Sequence, residues 1–403
     1  MPLGMDIPHA LPSRPGPKPA VVRSAMGGFF LLGGLMALLG ASLPVWVNYF
    51  DFELAMAGNY FLAFNLGIFA AAMFSRRLLG GLGLRGVLVL ACGLISASLL
   101  VVAGIFRPLW MLGPVLALGF AAGMLGAGVS WLMFDSITAP LAGAILSLAG
   151  VFFGSGAVLL VVFLWFHPQP AGLLAAAVLP ALLGALYWRQ QALGEPALQA
   201  APLRLPLGAT RSPAAVLLAL ALFFQSASEW GAGGWLALYW IRKLGVNREA
   251  ALFGLALYWM ALTLGKLLAP RIPGIAGPFR QMTAGAALAL FGCLVLLSAA
   301  GMGGAAVGAL CLGAGLGGLY PLIIGMVGER FPYYHPGFFN GLLSLSLVGG
   351  MLAPWSVGLL AHAWVISWVV WTPALGVGMV YLLLAILLLE SRLSRIAATA
   401  SSS

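Results

Sequence analysis

The sequence predicts an all-α membrane protein with twelve transmembrane helices in two pseudo-symmetric six-helix bundles, and three observations lead there. Only 7% of the 403 residues are charged while 62% are hydrophobic, against about a quarter charged in an ordinary soluble domain. Apolar stretches of eighteen or more residues recur along the whole chain, each long enough to cross roughly 30 Å of hydrocarbon as a helix. The ten-residue alternation of an outer-membrane barrel is missing, so the backbone must satisfy itself within helices.

The spans fall at 25–48, 55–75, 87–106, 109–133, 140–166, 171–188, 213–240, 250–269, 281–300, 302–328, 337–361 and 366–390. Most links are short, such as Asp51-Phe52-Glu53 or His167-Pro168-Gln169-Pro170, so successive helices must run antiparallel. The long link rich in Gln, Pro and Ala divides the chain. The expected organisation is a flexible cytoplasmic tail over 1–24, a bundle over 25–188, a cytoplasmic linker over 189–212, a second bundle over 213–390 and a cytoplasmic tail over 391–403.

A net charge of +10 invites a nucleic-acid reading, but such a surface needs its basic residues on one face, and here they are scattered through the links. They act instead as topology signals. With both termini inside, fifteen lie on the inner side: Arg14, Lys18, Arg23, Arg76, Arg77, Arg85, Arg189, Arg204, Arg211, Lys266, Arg271, Arg280, Arg330, Arg392 and Arg395. The outer links hold Arg107, Arg242, Lys243 and Arg248. The expected setting is a bacterial inner (plasma) membrane with cytoplasmic termini, lipids as neighbours, a monomer, and no nucleic acid.

The halves echo each other. Leu146-Ser147-Leu148 precedes Gly154-Ser155-Gly156 in the fifth span, and Leu343-Ser344-Leu345 precedes Gly349-Gly350 in the eleventh. Asp135 ends the fourth span as Glu329 ends the tenth, and Arg76 and Arg77 have their counterpart in Arg271. Two bundles related by a parallel duplication are suited to rocking about a central site.

At residues 223–272 the chain resembles the fucose permease-like sugar transporter branch of the major facilitator superfamily. Glu229, Gly233-Gly234-Trp235, Tyr239, Tyr258-Trp259 and Leu262-Thr263-Leu264-Gly265-Lys266-Leu267-Leu268 are similar to that branch's seventh and eighth helices, with Lys266 where Arg is usual. Phe152-Phe153-Gly154-Ser155-Gly156-Ala157, Gly318-Leu319-Tyr320-Pro321 and Glu329-Arg330-Phe331-Pro332 extend the likeness. It implies the major facilitator fold and secondary active transport by alternating access of a small polar solute, a monosaccharide or sugar-like compound. The chain departs at the second–third link, where Arg76 and Gly80 replace the superfamily's first Gly and its Asp, and only Gly83 and Arg85 are retained. The branch's carboxylates in helices one and four are also missing, which argues against its route of proton symport.

Glu229 is the one acid deep inside a span. An ionisable group there is costly and usually functional, which makes it the expected proton-coupling and substrate-binding group. Gln225, one turn earlier, shares its helical face. A sugar site joins aromatic faces to a few amides or carboxyls; the candidates are Trp131, Trp235, Tyr258, Trp259, Tyr320, Asn65 and Asn340. Gly231, Gly233 and Gly234 serve either as a gating hinge or as close packing of small residues. Asp135 with Arg76 or Arg77, and Glu329 with Arg271 or Arg280, are candidate gating latches. Lys266 either joins that cluster or extends to the inner interface. Trp46, Trp110, Trp165, Trp188, Trp364, Trp368 and Trp371, near span ends, are expected interface anchors.

Cys92, Cys293 and Cys311 lie in apolar spans without metal-ligand spacing, and His9, His167, His335 and His362 share no helical face. No phosphate-binding loop or catalytic triad is recognisable, so no metal, cofactor or enzymatic activity is expected. The competing functional reading is a proton-coupled exporter of drug-like, amphipathic or lipid compounds, favoured by the many Leu, Phe and Met residues.

Overall fold

The computed structural model describes residues 19–51, 53–105, 107–136, 142–190, 213–269, 277–331 and 336–401. Residues 1–18 of the tail expected over 1–24, residues 191–212 of the linker expected over 189–212, Arg271 and the side chains of Asp135, Asn340, Arg392 and Arg395 lie outside the described set, and residues 19–24 of that tail are helical.

The described chain is helical from end to end: α1 (Pro19–Phe50), α2 (Leu54–Gly104), α3 (Leu112–Ser136), α4 (Ala142–Phe166), α5 (Ala171–Ala176), α6 (Val178–Arg189), α7 (Pro213–Leu244), α8 (Arg248–Leu268), α9 (Pro278–Ser298), α10 (Met302–Arg330), α11 (Pro336–Ala363) and α12 (Trp368–Ser401). Eleven stretches among the described residues are long and apolar enough to cross a membrane. One of them, α2, has 51 residues, which at about 1.5 Å each is more than twice a bilayer core. It divides at Gly83, whose φ of 67° and ψ of 169° are not helical. Its two arms are the second and third crossings, and the total is twelve. The link expected over 76–86 is therefore helical up to the glycine. Conversely α5 and α6 form one crossing, interrupted at Ala177; Pro180 lacks the N–H that would bond back to the Ala176 carbonyl.

Helix ends follow local chemistry. Gly245, with φ 64°, stops α7 in the left-handed conformation that suits glycine, and Asn247 caps α8 by accepting from the Ala250 N–H at 2.9 Å. α12 runs on past Glu390 to Ser401, eleven residues beyond the expected span.

The duplication is written into the packing. A methyl group on Gly156 would fall 1.8 Å from the Phe30 carbonyl oxygen, and one on Gly349 would fall 2.2 Å from that of Phe223. Each glycine, and each phenylalanine, is separated from its counterpart by 193 residues. Gly119 meets the Phe64 carbonyl and Gly123 the Ile68 carbonyl; 194 residues later Gly313 meets Tyr258 and Gly317 meets Leu262. Small residues let backbones touch in this way where lipid gives no hydrophobic drive to association. At the centre Gly40 of α1 meets its own counterpart, Gly233 of α7: a methyl group on Gly40 would fall 2.2 Å from the Gly233 carbonyl oxygen. That is the contact expected of two halves related by an approximate two-fold axis.

The tryptophans correct one expectation. Trp110, Trp188 and Trp364 are exposed at span ends as anchors should be. Trp46 is buried, edge-on to Tyr60 at 5.6 Å, because it faces α2 instead of lipid. Trp165 packs on Phe253 of α8, 5.9 Å between ring centres, in the seam between the halves.

Candidate functional site

Glu229 lies midway along the 32-residue α7 and is 4% exposed. A carboxylate cannot stand alone there, and it does not. Its Oε1 accepts from the Lys266 ammonium at 2.5 Å, and its Oε2 accepts from Gln225 Nε2 at 2.8 Å. Gln225 shares the face of Glu229 because the two are four residues apart. Gln225 Oε1 in turn accepts from Ser226 at 3.3 Å, and the Ser226 and Ser346 hydroxyls are 2.6 Å apart, which carries the network to α11. The Tyr258 hydroxyl donates to the Glu229 carbonyl oxygen at 2.9 Å, locking α8 to α7. Tyr320 on α10 packs partly buried against the hydrophobic core.

Lys266 neither reaches the inner interface nor joins a surface cluster, the two places expected for it. The structure turns it inward, since α8 packs on α7 with Lys266 facing the buried acid. One partial signal lay in the sequence: Glu229 is deep in a span and needs a partner, since buried charges pair, although the position of Lys266 in the last turn of α8 left its direction open. The pair also touches the first half. The Phe153 ring of α4 lies 5.7 Å from the ammonium, a cation–π contact, next to the place where Gly154 crosses Thr263 of α8.

Of the candidate residues, Glu229, Gln225, Tyr258 and Trp259 gather around the centre of α7. Trp235 lies further along α7, fully buried, with its indole N–H on the Pro354 carbonyl at 2.9 Å and its ring 5.6 Å from Phe61. Asn65 sits apart, bonding back to the Phe61 carbonyl at 2.8 Å and lining a small cleft with Leu347 and Met351. Trp131 packs at the edge of the first half's core. Helix α7 runs unbroken through Gly231, Gly233 and Gly234. A methyl group on Gly233 would come within 2.8 Å of the Trp259 ring, and one on Gly234 within 2.7 Å of Phe61, so both serve close packing. Gly231 has room, its nearest neighbour being Ala353 at 3.9 Å.

For the gating residues, Arg76 and Arg77 are exposed. Glu329 is exposed too, and among the described residues it makes no ion pair with Arg280. Its neighbour Arg330 pairs with Glu390 of α12, a tie inside one half.

Among the described residues, the hydrogen bonds that join the halves lie at the end away from the termini. There the Arg248 guanidinium donates to the Leu164 and Trp165 carbonyls at 3.4 and 3.2 Å, carbonyls that the C-terminus of α4 leaves open. Trp355 Nε1 donates to Asn59 at 3.2 Å, His362 faces Glu53 at 3.5 Å, and Gly58 meets Gly358 backbone to backbone. These contacts tie the halves together at that end.

Twelve crossings, a duplicated packing scheme and a buried polar group at the junction define the major facilitator fold. Two solved structures share it over nearly their whole length. One is a bacterial homologue of the human lysosomal transporter Spinster, in an inward-facing and occupied conformation, with a TM-score of 0.68 and 15% identity over 94% of this chain and 98% of that one. The other is a mutant of the nucleoside transporter NupG, with a TM-score of 0.70 and 11% identity over 92% of this chain and 98% of that one. No protein-family model matches the sequence, and no curated protein does.

Proposed function

We propose that the protein is a secondary active transporter, not an enzyme, that moves a small polar solute of monosaccharide size by alternating access. The carrying observation is the Glu229–Lys266–Gln225 group, buried at mid-membrane and touched by Phe153 of the opposite half. A charge pair in that position is costly to maintain, and it stands where rocking halves would alternately cover and uncover it. The fold shared with two transporters supports the reading. Glu229 remains the proposed proton-coupling group: taking up a proton would remove its hold on Lys266 and free the amine.

Rocking can be tested without knowing the solute. Spin labels replacing Glu53 and His362, which face each other across the junction of the halves, should report two distance populations in a lipid nanodisc. One fixed distance under all conditions overturns alternating access.

One observation favours the competing reading, export of drug-like, amphipathic or lipid compounds. A groove of about 420 Å³ in the first half, lined by Phe30, Leu38, Leu99, Leu160 and Phe163 among others, has walls of apolar side chains. A thermal-shift screen against sugars, nucleosides, drugs and lipids separates the two: stabilisation by greasy compounds alone would replace the polar-solute reading.

A further inference from the structure

Resting on the transport reading, we propose that Lys266 is the solute-recognition residue and that its solute is an organic anion. The solute would be a monosaccharide-sized molecule carrying a carboxylate or phosphate. The argument begins with which charge is on show. The Lys266 side chain is 22% exposed and that of Glu229 only 5%, so an arriving molecule meets an ammonium and not a carboxylate.

The unmatched hydrogen-bonding capacity points the same way. Both Glu229 oxygens are engaged, by Lys266 and by Gln225, and enclosure leaves a sugar hydroxyl little to donate to. An ammonium has three N–H donors, and among the described residues Glu229 takes the single hydrogen bond that Lys266 makes. Spare donors call for a solute rich in acceptors, and an anionic oxygen group is the strongest acceptor available.

The other half supplies no rival. The positions 193 or 194 residues before Glu229 and Lys266 are Met36 and Ala72, so the second half alone fixes the charged end of the solute. Phe153 holds the ammonium loosely from across the seam, a contact that an anion displaces. Charge also balances. The empty pair is neutral, a carboxylate brings −1, and a proton on Glu229 restores neutrality, so one carboxylate would travel with one proton; a phosphate monoester, about −2 at neutral pH, would need a second.

The test uses purified protein in nanodiscs with glucose, glucuronate and glucose 6-phosphate, which share one ring and differ in charge. The two anions should raise the melting temperature and neutral glucose should not; a response to one anion alone identifies which oxygen group is carried. Lys266→Gln should weaken anion binding about tenfold or more, while Lys266→Arg retains it. Should Lys266→Gln fail to fold, Glu229→Gln keeps the ammonium and removes its partner, and anion binding should then tighten several-fold. Stabilisation by glucose equal to that by the anions, no response to either anion, or weaker binding in Glu229→Gln overturns the proposal. The spin-label distances report rocking whatever the solute is, so the transport reading and the anion reading fail separately.

Discussion

In the first half, α1 crosses α4 where Gly156 rests on the Phe30 carbonyl; in the second, α7 crosses α11 where Gly349 rests on that of Phe223. The same crossing is filled differently. Around the first are Leu32, Met36 and, on α2, Ala72; at the counterpart positions stand Gln225, Glu229 and Lys266. Phe153 in the first half matches Ser346 in the second, so a ring faces the ammonium where its counterpart carries a hydrogen bond to Ser226. The contrast teaches that duplication preserved the backbone contacts, which depend on glycine placement, while the buried charge pair at this crossing was confined to one half. A single charged group beside an apolar wall needs one compensating partner; a second copy would double the desolvation cost.

The comparison is broken most completely by making the second half resemble the first. Glu229→Met with Lys266→Ala should leave a folded protein, since apolar replacement of a buried ion pair is often neutral, yet abolish anion-dependent stabilisation in the melting assay. Lys266→Ala alone should be worse for the fold than the double change. It strands the Glu229 carboxylate at a cost of about 3 kcal/mol, measured as the difference in thermal unfolding between the two variants. Next come the shared crossings. Gly156→Leu and Gly349→Leu should each destabilise by about 1–3 kcal/mol, and by similar amounts, because both glycines touch a carbonyl oxygen. A cost confined to one half would show the packing equivalence to be superficial.

Arg248→Ala should act at the junction away from the termini and spare the central group. Losing its two hydrogen bonds to α4 is worth roughly 1.5–3 kcal/mol at most, read as a shift of the Glu53–His362 label pair toward the longer distance. The smallest effect is expected at Gly231→Ala, whose methyl group has room; it should change melting by about 0.5 kcal/mol or less. Gly233→Ala, aimed at the Trp259 ring, should cost more. Equal outcomes for those two would restore the hinge reading of the glycines.

Much of the fold was legible in the sequence because span length and hydropathy are local properties. The break at Gly83 was not: the helix ignores the basic residues Arg76 and Arg77 and turns where a positive φ carries no Cβ penalty. Glu229 and Gln225 were legible as a pair from their four-residue spacing. Lys266 was not, since a lysine near a span end has a second outlet at the interface, and which outlet it takes depends on how α8 is rotated against α7. Trp46 was hidden for a similar reason: position along a helix is visible in a sequence, but the direction a side chain faces is not.

The sequence by itself determined twelve apolar crossings, a repeat of the half-molecule and a lone acid at mid-membrane, because each follows from composition and spacing along one chain. Only the tertiary structure decided that this acid is paired with Lys266, that Phe153 reaches that ammonium from the other half, and that the hydrogen bonds tying the halves lie away from the termini. Those facts depend on helix rotation and depth, which glycine contacts between distant segments set and no local pattern encodes.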